Sequence, residues 1–280
     1  MRAAAADPYE KLARLKRILG EMGSVVVAYS GGVDSSFLLR AAVDTPHLRV
    51  VALTTDSPTN TTQEIEEAAL LARELGVEHV IEKVNELDTP GYAENPTHRC
   101  YLCKQTLYPL CFALADRRSI AHVIDGVNCD DLGDYRPGLR AAAEQGVRHP
   151  LVEAELDKAE IRQLSRFYGL ASSEKPASPC LSSRFPYGTR IDEQRLKQVA
   201  RAEAYLRSIG FQELRVRHLG DGARVEVAEA EIRRLDDETL RAAIRQALEA
   251  IGFASVEISE SALRSGSLND VVKASESSAS

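Results

Sequence analysis

Short, unbroken apolar runs alternate with amphipathic stretches along the first two thirds of the chain. The runs at 24–29 (SVVVAY), 49–54 (RVVALT), 79–84 (HVIEKV) and 121–125 (AHVID) have the length and β-branched content of strands buried on both faces. Between them, 8–22, 35–43, 62–75 and 103–115 carry helical spacing. Asp7, Pro8 and Glu10 open the first helix with a capping acid and a proline at its first position. A further helix is expected over 158–168, with Ile161, Leu164 and Phe167 on one stripe. This order predicts an α/β fold: an open, mostly parallel sheet with helices on both faces and right-handed connections.

The pattern breaks at 171–189, which holds three prolines, one glycine and five serines without periodicity. A structureless stretch of that length in a compact chain marks function or disorder. Beyond it the spacing predicts a long helix over 192–208 and two strands within 211–227 around Gly220, Asp221 and Gly222. A helix over 228–250 and a last strand over 254–258 follow. Leu214, Val216 and Leu219 are expected on the core side of the first of these strands, with Arg215 and Arg217 on the other face. The expected organisation is an α/β domain over 1–175, a smaller α+β domain over 176–262 with Cys180 at the junction, and a disordered, Ser-rich tail over 263–280.

The 280 residues include 35 Lys+Arg and 42 Asp+Glu, a net charge of −7. That balance argues against a generic nucleic-acid or anionic-membrane binder, because the whole-chain field opposes the encounter. No apolar run approaches the roughly 18 residues of a membrane span, and no signal-peptide core precedes the first helix, so the expected compartment is the cytoplasm. The five cysteines, Cys100, Cys103, Cys111, Cys129 and Cys180, are an odd number. There they read as free thiols, metal ligands or a nucleophile rather than as a disulfide framework.

Ser30-Gly31-Gly32-Val33-Asp34-Ser35-Ser36 joins the first strand to a helix. Glycines allow a tight turn and close approach of a ligand, and the N–H groups and dipole of a helix start favour an anion. Ser30, Ser35 and Ser36 add hydroxyl donors. No Gly-Lys-Ser/Thr follows, so this is not a Walker A loop; a phosphate group completed by Mg²⁺ fits better, with Asp34 as metal or cap residue.

The loop Asp125-Gly126-Val127-Asn128-Cys129-Asp130-Asp131-Leu132-Gly133-Asp134-Tyr135-Arg136 follows the fourth strand, where open α/β sheets bind ligands. Asp130, Asp131 and Asp134 are candidates to hold Mg²⁺ or orient a substrate. Cys111 and Cys129 read as small buried residues. Cys180 stands among prolines near Lys175 and Arg184, cations that favour a thiolate nucleophile. Cys100-x-x-Cys103 lacks a second pair for a zinc site, so His98 or Cys111 would have to help. A cluster on Cys100, Cys103 and Cys180, a redox dithiol and unpaired structural thiols stay open. Arg215 and Arg217, side by side on one strand face, suit a phosphate or carboxylate.

SGGVDSS resembles the PP-loop of the ATP pyrophosphatase family, which splits ATP to AMP and pyrophosphate to adenylate a carboxylate or carbonyl oxygen. Together with the acidic loop, SPCLSSRFPYG and LRVRHLGDGARVEV, it resembles the ATP-dependent sacrificial sulfur transferases of nickel-pincer nucleotide biosynthesis, over about residues 10 to 260. The resemblance implies nucleotide binding by Ser30, Gly31, Gly32, Asp34, Ser35, Ser36, Thr55, Ser57 and Gly126, with Mg²⁺ at Asp34. It implies a pyridinium-3,5-biscarboxylic acid mononucleotide substrate held by Arg184, Arg215 and Arg217. Cys180 would form a thioester and give up its sulfur to leave dehydroalanine, with Glu203 a candidate for the bond-breaking step. A homo-oligomer, hexameric in the family, and other pathway enzymes are the implied partners. Some relatives instead carry a [4Fe–4S] cluster on three cysteines, for which Cys100, Cys103 and Cys180 are the matching set. A tRNA thiolase, an amidating synthetase and a non-catalytic nucleotide sensor are the competing readings.

Overall fold

A computed structural model describes residues 7–133, 137–176, 178–264 and 268. It divides into two compact units: Met1–Val84 with Cys100–Ser178, and Asn85–Arg99 with Pro179–Ser280. The sequence boundary was expected at 175/176; the last crossing lies between Ser178 and Pro179, and the second unit also takes 85–99, which no break in pattern marks. Apart from Leu263, Arg264 and Leu268, the tail expected to be disordered lies outside the described residues.

In the first unit α1 (Pro8–Met22), β1 (Ser24–Ala28), α2 (Val33–Val43), β2 (Arg49–Asp56), α3 (Thr62–Glu74) and β3 (Glu78–Lys83) follow in turn. Then come α4 (Arg99–Arg118), β4 (His122–Asp125), α5 (Pro137–Gln145), α6 (Pro150–Glu153) and α7 (Lys158–Phe167). The strands form one parallel sheet in the order β3-β2-β1-β4. The apolar runs are continuous because alternate residues enter two different cores. Val25, Val27, Ala52 and Ile124 pack with α1, α2 and α7, while Val26, Ala28, Val51, Leu53 and Val123 pack with α4 and α5. A parallel bridge at Arg148 continues the sheet beside β4.

Three expectations for this unit are corrected. Helix α4 begins at Arg99 rather than 103, so Cys100 and Cys103 share a helical turn. Phe167 is 61% exposed, set edge-on to Tyr9 and Tyr168, because the stripe of α7 ends with Leu164. Cys129 is half-buried, whereas Cys111 is fully buried and its thiol is pushed up to about 12 by burial.

The second unit holds α8 (Glu193–Ser208), β5 (Leu214–Leu219), β6 (Gly222–Val227), α9 (Glu238–Ile251) and β7 (Ser255–Ile258). Its sheet runs β5-β6-β7, antiparallel then parallel, over one core of Leu196, Val199, Val216, Val225, Ile244 and their neighbours. The helix expected over 228–250 is split: Glu229–Asp236 is a 3₁₀ segment, and Asp237 caps α9 through the amides of Thr239 and Leu240. The stretch 171–189 also has structure, with 3₁₀ turns over Ala171–Glu174 and Leu181–Arg184. Residues 85–99 are sewn to the second turn. Tyr92 Oη meets Ser182 Oγ at 2.8 Å, Asn95 Nδ2 donates to the carbonyls of Phe185 and Pro186, and Arg99 donates to the carbonyl of Ser182.

Candidate functional site

Each unit carries part of the residue set. In the first, the chain order 1-2-3 runs to one side of β1 and returns to β4 on the other, so the switch point of the sheet lies between β1 and β4. Crevices at such points take ligands. Ser30 leaves β1 there and Asp125 closes β4 there.

The Ser30 turn is held by its own hydroxyls. Ser30 Oγ and Ser35 Oγ are 3.1 Å apart, the Ser30 amide donates to Ser35 Oγ, and Ser35 Oγ donates to the carbonyl of Gly32. Gly31 has φ +72°, and a Cβ there would stand 2.9 Å from Ala68 Cβ. A Cβ on Gly126 would stand 2.9 Å from the Ser35 amide nitrogen. Both glycines are therefore required by geometry. Side chains cap α1, α3, α7, α8 and α9, from Asp7, Thr61, Asp157, Asp192 and Asp237. Helix α2 starts at Gly32 with no side-chain cap, which leaves its first amides to an outside anion.

Around the turn, Asp34 lies in the first turn of α2, 3.7 Å from Lys158 Nζ. Lys175 Nζ donates to the carbonyl of Gly31 at 3.3 Å and pairs with Glu67. Thr55 is half-buried near the end of β2, and Ser57 Oγ bonds Thr59 and Asn60. Asp130 accepts from the Lys158 amide and Asp131 from the Asn128 amide, so both brace the loop; Asp134 and Arg136 lie outside the described residues.

One cluster escaped the sequence reading. Buried Asp125 accepts the Tyr108 hydroxyl on Oδ2 and His149 Nδ1 on Oδ1, each at 2.7 Å. Burial pushes the Asp125 carboxyl up, but His149, Lys104 and Tyr108 outweigh it and hold it below the usual range. The one signal for His149 was its place beside a helix-opening proline after a short apolar step.

In the second unit Cys180 is half-buried and opens the Leu181–Arg184 turn. Arg184 Nε and Nη2 make a bidentate pair with Glu203 at 2.8 and 3.0 Å, both side chains being buried. Arg184 Nη1 donates to Ser183 Oγ and to the carbonyls of Pro179 and Cys180. Glu203 also accepts from Arg207 and the Val216 amide. Arg217 pairs with Glu226 at 3.0 Å and donates to the carbonyl of Ser183. Arg215 is 6% exposed, and among the described residues no side-chain hydrogen bond or ion pair engages its guanidinium. Burial, then the charges of Arg217 and Arg184, push it below the usual arginine range.

The expected partition of β5 is corrected here. Leu219 is exposed and His218, stacked on Phe185, takes its place, because residues 214, 216 and 218 share one parity. The arginine face is not solvated: Leu214 to His218 are all buried. Four guanidiniums, Arg184, Arg207, Arg215 and Arg217, thus meet two carboxylates, Glu203 and Glu226. The surplus positive charge suits a phosphate.

Among the described residues no three His, Cys, Asp or Glu side chains stand together to hold a metal ion. Cys100 and Cys103 belong to the first unit and Cys180 to the second.

An open α/β sheet with an uncapped glycine turn at its switch point, joined to a small arginine-rich α+β unit beside a cysteine loop, is the class these features define. The chain belongs to the family of the pyridinium-3,5-bisthiocarboxylic acid mononucleotide synthases. It is 36% identical over 263 residues to the protein of that name from Lactiplantibacillus plantarum, covering 94% of this chain and 95% of that one. It is also 41% identical over 262 residues to an uncharacterized protein of Synechocystis sp., covering 94% and 98%. An uncharacterized protein of Methanocaldococcus jannaschii is 27% identical over 224 residues, 78% and 84% of the two chains. No protein-family model matches. Among the described residues no helix is long and apolar enough to cross a membrane.

Proposed function

We propose that this chain is an ATP-dependent sulfur transferase that acts on pyridinium-3,5-biscarboxylic acid mononucleotide. Kinship along nearly the whole chain with a synthase of the corresponding bisthiocarboxylic acid supports the substrate. The observation that carries the reading is the surplus of buried guanidinium at the turn that Cys180 opens: it matches the phosphate of a mononucleotide, and Arg184 donates to the Cys180 carbonyl.

A bare carboxylate resists a thiolate, so it is first activated. The substrate carboxylate attacks the α-phosphorus of ATP and pyrophosphate leaves. The first amides of α2 and the hydroxyls of Ser30, Ser35 and Ser36 receive the phosphates, and Thr55 and Ser57, at the end of β2 and just beyond it, receive the adenine. Asp34, in the first turn of α2, is the carboxylate that would hold Mg²⁺, whose charge would offset that of the phosphates. The Cys180 thiolate attacks the acyl carbon, AMP leaves, and a thioester forms. Removal of the Cys180 Cα proton then breaks Cβ–S, giving a thiocarboxylate product and dehydroalanine in the chain. Arg184 fixes the turn, and Arg215 and Arg217 hold the substrate phosphate. Glu203 orients Arg184; to take the proton itself it would first have to release Arg184 or Arg207.

Peptide mass spectrometry, before and after incubation with ATP, Mg²⁺ and the dicarboxylate mononucleotide, tests this. Loss of H₂S at Cys180 is expected, in step with product. In Cys180→Ala, pyrophosphate release should persist while no thiocarboxylate forms. Product with Cys180 intact would overturn the sacrificial route, and no pyrophosphate release would overturn the adenylation step.

A further inference from the structure

Asp125 and His149 stand at the carboxyl edge of the sheet, Asp125 on the strand next to the one that leads into the Ser30 turn and His149 one strand position further out. Strand register sets Asp125 opposite Ala28, the last residue of β1. Gly126, the next residue, is packed against the Ser35 amide. His149 directly follows Arg148, which continues the sheet beside β4.

Asp125 is 3% exposed. Its oxygens accept the imidazole, the Tyr108 hydroxyl and the Val127 amide. The bond to Nδ1 leaves Nε2 as the outward end of the ring. Among the described residues no hydrogen bond engages Nε2, and the side chain is 20% exposed. A buried carboxylate and a tyrosine that together orient a partly exposed imidazole are what a ligand-facing histidine requires.

The charged groups acting on it are Asp125 on β4, Lys104 on α4, and Glu153 on α6, which is paired to Arg148; Tyr108 on α4 reaches Asp125 instead. Burial works against protonation, but the hydrogen bond and charge of Asp125, with Glu153, outweigh it and raise the ring above its ordinary 6.5. The Ser30 turn has no lysine of its own; of the lysines that reach it, Lys175 pairs with Glu67 and Lys158 with Asp34.

We propose that His149 Nε2–H, oriented by Asp125, donates a charge-assisted hydrogen bond to a phosphate oxygen of the nucleotide bound at the Ser30 turn. This rests on ATP being bound there. Calorimetric titration of the full chain with MgATP at about pH 6 and about pH 9 tests it. Wild-type affinity should be roughly tenfold higher at the lower pH, the scale of one charge-assisted bond. His149→Gln should lack this gain and keep only the pH dependence that comes from ATP. The titration of ATP itself is common to both proteins. As a second readout on wild type, ¹⁵N imidazole spectra should show the His149 pKa rising when MgATP is added. Equal pH dependence in wild type and His149→Gln, or an imidazole pKa that MgATP does not move, would overturn the proposal while leaving ATP binding intact. A wild type that binds no MgATP would overturn both.

Discussion

The two regions of this chain suited to an anion are built from opposite materials. The Ser30 turn uses backbone: two glycines, an uncapped helix start and short hydroxyls. The Arg215 region uses side chains: four guanidiniums crowded around a buried strand, three of them tied to carboxylates. The first holds its charge as aligned peptide dipoles, which need no counter-ion when empty. The second holds full charges out of water and stands only because Glu203 and Glu226 neutralise part of them. A backbone site is lost by adding one methyl group, whereas a side-chain site is lost by removing one charge.

The largest effect expected follows from that dependence. Glu203→Ala should destabilise the second unit by about 3–5 kcal/mol, because Arg184 is left buried without its partner. Urea unfolding read on the full chain measures it. Replacing Arg184 and Glu203 together with Met and Leu should recover most of the loss, and an equal loss in the double variant would deny the pairing its importance. Next, Gly126→Ala should cost about 1–3 kcal/mol by overpacking, since its methyl meets the Ser35 backbone rather than a flexible side chain. Nucleotide affinity should fall with it, while substrate binding at the arginines is unchanged.

Arg215→Met should move stability the other way. Removing a buried, unpaired cation from beside Arg217 and Arg184 is expected to raise unfolding free energy by about 1 kcal/mol while abolishing mononucleotide binding. A loss of stability instead would mean that the empty arginine face is not under charge strain. The smallest effect is the pH response of the first unit. With the folded pKa of His149 raised above 6.5, its contribution is complete below that value and fades as pH rises through the raised one. Asp125, held low, contributes above its ordinary value and loses that contribution only as acid protonates it. Unfolding free energy should therefore decline above about pH 6.5 in wild type and decline less in His149→Gln.

The same contrast decides what the sequence reveals. The β1 run and the Ser30 turn are local: consecutive residues carry both the strand signal and the glycines, and the expected α/β sheet is the one observed. Arg215 and Arg217 were visible as a pair on one strand face, but their burial was not. It depends on Ser183, Glu203 and Glu226, each from a different element. His149 was invisible because its partner Asp125 lies on another strand position and a single histidine has no period. Asp237 splitting the expected helix before α9 was legible in principle, since an aspartate ahead of Glu238 and Thr239 is a capping pattern; helical spacing on either side concealed it.

The stitching of residues 85–99 to the second unit bears on how the chain is made. A ribosome delivers Tyr92 and Asn95 long before Ser182, Phe185 and the strands that follow. At roughly 5–20 residues per second, the wait until β5 and β6 emerge is of the order of ten seconds. The first sheet can assemble in that interval, because all four of its strands precede residue 126. Tyr92 and Asn95, buried in the finished protein, spend it facing water or a chaperone, whereas a chain refolding from denaturant has both ends present from the start and skips the delay.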